Sequence, residues 1–357
     1  MLANDSSVID VSYDRKGLLR DYRQWPETGL KTLENLPSIH FAPNSGRVFV
    51  AGMGASSAAG ELLRDALAPS GFHLNVLRSH LVPDDVGRGD VIVGMSLSGG
   101  TEETAYVFDQ MLRRGATGAA VSSGGLLKTI AERHGAQFVK IEGGATARSS
   151  LPVFLSTLAG VLDGGRPDLL LKGKLRAAFD GLRSVSAAYS DPDPERSAPA
   201  KTAFWIQAAS HLTAYHSPFN LSVGTRFKNV LSENAKIDCT VTDIMDVMHD
   251  GITCWEHGFG SRLLLLHSWR DDDVVSHRFS LIAEQVRSLG FQTVDIASSN
   301  REGIQDLLHS FYYLDLVSVY SALLRHIDPG VTQSQEIIKQ KLGQVSTLRK
   351  YLKAEYG

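Results

Sequence analysis

Two short apolar runs each break into a corner rich in glycine and hydroxyl residues, and a helix-forming stretch follows at once. Nothing else in the chain limits its fold as much. The clearer case reads Asp90-Val-Ile-Val-Gly-Met95, then Ser96-Leu-Ser-Gly-Gly-Thr101, then a helical segment from about Glu102. A continuous apolar run of this length suits a strand covered on both faces. A strand-to-helix corner leaves backbone N–H groups free at the positive end of the helix dipole, where an anion is favoured. Three hydroxyls, on Ser96, Ser98 and Thr101, fall within six residues there, and Gly99 and Gly100 allow the backbone to close around a phosphate without Cβ interference. The loop holds no lysine, so it is not a Gly-x4-Gly-Lys-Ser/Thr loop, and a magnesium-bound nucleotide triphosphate is disfavoured. A phosphate monoester on a small molecule fits better. The same residues also fit an ordinary Ser/Thr helix cap.

The second corner lies upstream: Arg47-Val-Phe-Val-Ala-Gly52, then Met53-Gly54-Ala55-Ser56-Ser57 and a helical run to Leu67. Taken as a dinucleotide fingerprint, Gly52-x-Gly54 lacks its third glycine, because Ser57 stands there. The next apolar run, Leu74–Leu77, is followed by Arg78, Ser79 and His80 rather than by a ribose-binding acid. Arg78 leaves a reading with a 2′-phosphorylated dinucleotide open. The simpler account places both loops on one crevice at the carboxyl ends of parallel strands, where open α/β sheets bind ligands.

The alternation continues along the chain. Strands are expected at 47–52, 74–77, 90–96, 117–121 and 137–141, with helices near 57–67, 101–114 and 125–134. A helix over 148–163 carries Arg148 in its first turn, and residues 12–36 have helical spacing suited to packing on the outside. A second block offers strands near 202–208, 237–241, 262–267 and 292–296, helices near 210–233, 276–289 and 306–326, and a last helix over about 333–354. The expected division is an N-terminal helical segment (1–36), a first α/β subdomain (37–184), a linker rich in Ser, Asp and Pro (185–200), a second subdomain (201–330) and a C-terminal helix (331–357). Two similar halves imply an internal duplication.

The two loops resemble the sugar isomerase (SIS) domain, with its Gly-Met-Gly-x-Ser loop and its Ser-x-Ser-Gly-x-Thr-x-Glu-Thr loop. Arg148-Ser-Ser-Leu-Pro152 is similar to a Pro-Arg-x-x-Leu-Pro segment of bifunctional phosphoglucose/phosphomannose isomerases. Arg226-Phe-Lys-Asn-Val-Leu-Ser-Glu-Asn-Ala-Lys236 resembles that group's Arg-x-Lys-x-x-(Leu/Phe)-Asn-Glu-Asn-(Ala/Ser)-Lys, and His249 stands where the group has a His-Asn-(Glu/Asp)-Ile motif. Thr332 and Lys339 are spaced like its C-terminal threonine and lysine. The resemblance spans roughly residues 20 to 345. It implies a pair of SIS subdomains, each a parallel sheet flanked by helices in a flavodoxin-like α/β/α sandwich, with a C-terminal helix.

It also implies a chemistry. Interconverting an aldose phosphate and a ketose phosphate needs a base that removes a proton beside a carbonyl and returns it one carbon along, through an enediolate, with no cofactor and no metal. The resemblance makes Glu233 that base, Arg148 the cation beside the enediolate oxygens, and His249 the residue that opens the sugar ring. Lys339 would act at the sugar hydroxyls, with Lys341 as the competing assignment. Ser56, Ser96, Ser98 and Thr101 would bind the phosphate, and Gly54 and Thr332 would line the substrate. In the related isomerases the histidine crosses a dimer interface, so a homodimer is expected. An exposed helix-end glutamate, a helix-start arginine pairing with Glu142 or a surface acid, and a solvated helix lysine are the ordinary alternatives for Glu233, Arg148 and Lys339.

Charge is balanced at 36 basic against 39 acidic residues, which gives no field for nucleic acid or an anionic membrane. Cys239 and Cys254 are too few for a disulfide framework and are expected as buried thiols of a cytoplasmic protein. No signal peptide, no glutaminase domain ahead of the loops and no apolar run near membrane-spanning length is expected, and Met1–Ser12 reads as a polar, frayed end. Several positions depart from the group's pattern. Gly100 replaces an asparagine, Ala55 a glycine and Ser232 an asparagine, and Asp250-Gly251 replaces the Asn-Glu after the histidine. The last change enlarges the site and bears on substrate identity. Three readings follow: an isomerase of glucose or mannose 6-phosphate and fructose 6-phosphate, the same reaction on a heptose or octose phosphate, and a phosphosugar-binding protein without turnover.

Overall fold

The computed structural model describes residues 9–37, 39, 46–207, 209, 211–256, 261–298 and 303–357. Helices α1 (Leu18–Arg23) and α2 (Trp25–Glu34) lead into β1 (Val48–Gly52), α3 (Ala55–Leu67), β2 (Leu74–Leu77), β3 (Val91–Met95), α4 (Glu102–Arg113), β4 (Thr117–Ser122), α5 (Gly125–His134) and β5 (Gln137–Lys140). Helices α6 (Leu151–Gly165), α7 (Leu171–Tyr189) and α8 (Ala198–Gln207) connect to β6 (His211–His216), α9 (Leu221–Val230), β7 (Cys239–Asp243), α10 (Ile244–Val247), β8 (Ser261–Leu266), α11 (Asp273–Ser288), β9 (Thr293–Ile296) and α12 (Ile304–Leu324). Helices α13 (Gln333–Val345) and α14 (Thr347–Tyr356) close the chain. It divides into two compact units, residues 1–23 with 181–331 and residues 24–180 with 332–357. The divisions fall between α1 and α2, inside α7 and ahead of α13.

Each unit is built on one parallel sheet. The first sheet, in the unit of residues 24–180 with 332–357, has the order β2-β1-β3-β4-β5, and the second, in the unit of residues 1–23 with 181–331, has β7-β6-β8-β9. All five residues of β1 and of β3 are buried, as continuous apolar strands under helices on both faces should be. In the first sheet the chain steps outward from β1 to β2 and then returns to β3 on the other side. The crossover directions therefore diverge between β1 and β3, which pair from Val48↔Val91 to Gly52↔Met95. In the second sheet the same divergence lies between β6 and β8, paired from His211↔Ser261 to His216↔Leu266. At such a switch point the loops that follow the two strands run to opposite faces and leave a crevice at the strands' carboxyl ends.

Several elements differ from the sequence reading. Residues 198–207 are helical rather than a strand: Ser197 Oγ accepts from Ala200 N at 3.3 Å, Pro199 sits in the first turn, and the helix buries Ala200, Ala203 and Ile206. The strand of that block is His211–His216, inside the expected helix 210–233. Of the expected linker, residues 185–189 belong to α7 and 198–200 to α8, and only 190–197 lie outside helices. Residues 12–36 form two short helices, and Leu18, Tyr22, Trp25, Leu30 and Leu33 are buried instead of packing outside. Of the expected frayed end Met1–Ser12, residues 1–8 lie outside the described residues. Helix α12 is long and apolar enough to cross a membrane, contrary to expectation, but it is almost wholly buried and serves as the core helix of its unit. Cys239 is buried as expected, whereas Cys254 is exposed.

The expected single C-terminal helix is broken at Ser346, the cap of α14. Helix α14 docks on its sheet's outer helices through Asp109, a fully buried carboxylate on α4. Tyr351 Oη donates to it at 2.6 Å, Tyr356 Oη also donates, Arg113 Nε lies at 2.9 Å, Gln110 Nε2 at 3.1 Å and His134 Nε2 at 2.9 Å. Burial pushes the Asp109 carboxyl up, but these bonds outweigh it and hold it below the ordinary carboxylate value. Its folded pKa is therefore below its unfolded one, so its stabilising contribution is present above the unfolded value and is lost as pH falls through the folded one. Asp109→Asn should lower unfolding free energy by about 3 kcal/mol in urea denaturation, with the α14 amides exchanging fastest. An unchanged midpoint would remove this anchor.

Candidate functional site

The crevice between β1 and β3 is lined by two loops. After β3, Ser96 is buried and its hydroxyl pairs with the Thr101 hydroxyl at 2.9 Å. Thr101 occupies the N-cap of α4 in extended conformation but makes no side-chain capping bond. The first-turn amides of α4 are thus not taken by their own cap, and the dipole end is presented to the crevice. Ser98 is exposed and accepts from Gly100 N at 3.2 Å. Gly99 has φ +69°, and a Cβ there would fall 1.8 Å from Gly124 O, so both conformation and space demand glycine. After β1, Gly54 caps α3 with φ +58°, and a Cβ there would meet nothing within 4 Å. Its backbone is open to a ligand. Ser56 is buried, accepting from Met53 N at 3.1 Å and donating to Met53 O at 2.8 Å, so its hydroxyl shapes the loop from within.

Arg148 is buried and lies in the turn of residues 147–150, three residues ahead of α6 rather than in its first turn. Trp25 Nε1 donates to Ser149 O at 2.9 Å, and Ser150 Oγ donates to Thr146 O at 2.7 Å, which knits this turn together. A Cβ on Gly143 would lie 2.6 Å from Leu97 Cδ1 and 2.7 Å from Ser150 Oγ, so the turn packs against the Ser96–Thr101 loop. The structure thus brings Ser96, Ser98, Thr101 and the Arg148 turn together around one crevice.

Glu233 sits in the other unit, half-buried on a π-helical turn, Leu231–Ala235, that continues α9. Such turns are rare and occur frequently at functional sites. Three polar contacts hold it. Arg226 donates bidentately to Asp315 on α12, at 3.0 Å from Nε to Oδ1 and 2.5 Å from Nη2 to Oδ2, and both side chains are buried. Asn234 Nδ2 donates to Ser318 Oγ at 2.8 Å. Lys236, left-handed at φ +57°, closes the turn and donates from Nζ to the carbonyls of Glu233 and, at 2.6 Å, Val331. Burial disfavours charge on Arg226, yet Asp315 outweighs it and raises the guanidinium pKa, so Arg226 stays charged; burial remains the larger influence on Asp315 and raises its carboxyl. Asp315 and Ser318 escaped the sequence reading. An isolated carboxylate within the apolar stretch Tyr313-Leu-Asp-Leu-Val317 is the signal that could have found them.

His249 is exposed, in the turn between α10 and a short 3-10 helix, Gly251–Trp255. Thr332 is the half-buried N-cap residue of α13, and Lys339 and Lys341 are both exposed on that helix, which has no buried residue. Among the described residues no group of three or more His, Cys, Asp or Glu is placed to hold a metal ion.

At the matching crevice of the second sheet, Asp271 takes up the donors. Its carboxylate accepts from Ser217 Oγ at 2.5 Å and Ser268 N at 3.0 Å, with His267 Nδ1 at 3.5 Å. His267 Nε2 lies 3.0 Å from Asp295 Oδ1. Burial lowers the His267 pKa, but the hydrogen bonds with Asp271 and Asp295 prevail and raise it from 6.5 to about 9.

These features match known proteins. Residues 196–342 match the family model of the bacterial phospho-glucose isomerase C-terminal SIS domain. The matched stretch is that of a SIS domain, and the chain carries two parallel sheets flanked by helices, one in each unit. Within that class, it is similar to bifunctional phosphoglucose/phosphomannose isomerases. That of Aeropyrum pernix is 27% identical over 90% of this chain and 97% of its own length, and that of Caldicellulosiruptor bescii 24% identical over 84% and 90%. The fold is also that of the tagatose-6-phosphate ketose/aldose isomerase of Escherichia coli, with a TM-score of 0.64, 10% identity and coverage of 87% of this chain and 93% of that one.

Two tests follow. Gly99→Ala should weaken binding of inorganic phosphate by at least about tenfold, since a side chain there forces the loop to rebuild; calorimetric titration giving wild-type affinity would show that the loop does not hold the anion. His267 has a folded pKa above its unfolded one, so its contribution is complete below pH 6.5 and disappears as pH rises through about 9. The stability gap between wild type and His267→Gln should therefore close over that window, and a gap constant from pH 6 to 10 would contradict the assignment.

Proposed function

We propose that the chain is a cofactor-independent aldose–ketose isomerase of sugar phosphates, interconverting glucose or mannose 6-phosphate with fructose 6-phosphate through a cis-enediolate. The observation that carries this reading is the placement of Glu233. Its carboxylate rides on a π turn braced by a buried, bidentate Arg226–Asp315 pair, which fixes the backbone beneath it. A carboxylate held in this way suits a base that must deliver a proton to either of two neighbouring carbons. The names of the related proteins support the same substrate class.

In the proposed reaction Ser96, Ser98, Thr101 and the first-turn amides of α4 bind the phosphate, with Ser56 and Gly54 forming the second loop. His249 moves a proton between the ring and anomeric oxygens and opens the sugar. Glu233 removes the proton from C2 of the aldose, leaving an enediolate whose oxygen charge Arg148 offsets, and returns the proton to C1 to give the ketose. Lys339 and Thr332 contact the sugar chain. His249 and its neighbour Met248, which is 44% exposed, suit a homodimer in which the histidine serves the partner's site. The same reading makes the protein a cytoplasmic metabolic enzyme.

A second reading, the same reaction on a heptose or octose phosphate, draws support from Gly251. A Cβ there would make only ordinary contacts, 3.6 Å from Val247 Cγ1, so the fold does not demand glycine at this position. A smaller residue beside His249 then leaves room for a longer substrate.

Incubation with fructose 6-phosphate in deuterated water, followed by NMR, should show deuterium in the sugar together with glucose and mannose 6-phosphates. Glu233→Gln should slow this exchange about 10³-fold while binding inorganic phosphate normally. Exchange at the wild-type rate in that variant would dismiss Glu233 as the base. Turnover confined to longer ketose phosphates would favour the second reading.

A further inference from the structure

The C-terminal tail makes one contact with the phosphate loop that the reaction above does not use. Ser346, the residue between α13 and α14, donates its hydroxyl to Glu102 Oε2 at 2.5 Å and accepts from Arg349 N at 3.2 Å. Glu102 is the first residue of α4, directly after Thr101, and it is buried. A carboxylate in a helix's first turn is favoured by the dipole. Here it also competes, because the same dipole end and the same amides are what a phosphate in the Ser96–Thr101 loop requires. A carboxylate free to turn toward that loop would repel the ligand and occupy its field. The bond to Ser346 gives this carboxylate a fixed direction, toward the tail.

The bond has a second consequence. Helix α14 is anchored through Asp109, and Arg113 Nη2 meets Glu355 at 2.5 Å, whereas α13 buries no residue of its own. Ile338 (62% exposed), Leu342 (41%) and Val345 (68%) line one exposed stripe of it. The C-terminal end of α13 is thus held by the Ser346 joint and by the anchored helix beyond it. Helix α13 carries Thr332 and Lys339.

We propose that Glu102 and Ser346 are a positioning pair: Ser346 keeps the Glu102 carboxylate turned out of the phosphate loop and fixes the end of α13 beside it. This rests on the reading of Ser96–Thr101 as a phosphate site. Neither residue touches the reacting atoms. Their effect is on phosphate affinity, and it depends on the charge at position 102.

The test uses the full chain and titrates inorganic phosphate by calorimetry against four variants. Ser346→Ala should weaken phosphate binding on the order of fivefold to tenfold, because the carboxylate is released beside the dipole end. Glu102→Gln, which removes the charge, should bind phosphate at least as well as wild type. In the double variant the loss should disappear, with affinity returning to that of Glu102→Gln. Ser346→Thr, which keeps a hydroxyl and a helix cap, should behave as wild type and shows whether Ser346→Ala merely unfolds the tail. Loss of affinity that persists in the double variant would mean that Ser346 acts only on tail structure, and would overturn the proposal. Wild-type affinity in Ser346→Ala would overturn it too, while leaving the phosphate site intact. A wild type that takes no phosphate would remove the site and the pair together.

Discussion

The Arg226–Asp315 pair is the interaction on which the unit bearing Glu233 depends. Both side chains are buried, on α9 and on the long core helix α12, and their two parallel bonds lock the rotation of one helix against the other. Such a pair contributes little net stability over an apolar packing of the same shape, since desolvation offsets most of the attraction. Losing one partner, however, leaves a buried charge and costs about 3–5 kcal/mol. Its value here is geometric. The chain leaves α9 directly into the π turn, and an extra residue in a helical turn is stable only where the surroundings determine it fully. Asn234 on Ser318 and Lys236 on the Val331 carbonyl complete that surrounding and fix the backbone that carries Glu233.

The unit built on β1 and β3 solves a different problem. Polar groups at the end of a buried strand are costly to leave unpaired. The loop after β3 meets this by pairing the Ser96 and Thr101 hydroxyls with each other and leaving the amides of α4 at a crevice open to solvent. The neighbouring turn around Arg148 is likewise stabilised from behind, by Trp25 and by the hydroxyls of Ser149 and Ser150. In both cases polar groups buried behind the crevice satisfy one another.

How much of this was legible in the sequence follows from the range of each interaction. The first sheet was read nearly strand for strand, because β1 and β3 are continuous apolar runs that end in glycine and hydroxyl corners, a local signal. The residues 198–207 misled because Phe204-Trp-Ile206 looks like strand composition, whereas the Ser197 cap and burial of one face make the segment helical. The break at Ser346 has a local signal in Gly343-Gln-Val-Ser-Thr347, but the turn is also held by a bond to a residue 244 positions away. Likewise Arg226 was visible within its motif, but Asp315, 89 positions distant, was not. The resemblance supplied the candidate roles. The backbone around them had to come from the structure.

The two sheets share an order and a switch point, yet they use it in opposite ways. Between β1 and β3 the loop pairs its Ser96 and Thr101 hydroxyls with each other and lays no side-chain cap on the first-turn amides of α4. Between β6 and β8 the corresponding donors, Ser217 Oγ and Ser268 N, close on the chain's own Asp271, and His267 adds a proton-bearing partner. An internal carboxylate in that position supplies the negative charge that a crevice of this geometry favours, and it does so permanently. The unit of β6 and β8 fills its crevice with a side chain, and the stretch from Arg226, within its first helix, through Lys236 carries a braced carboxylate instead. One architecture thus pairs its polar groups in two different ways at the same switch point.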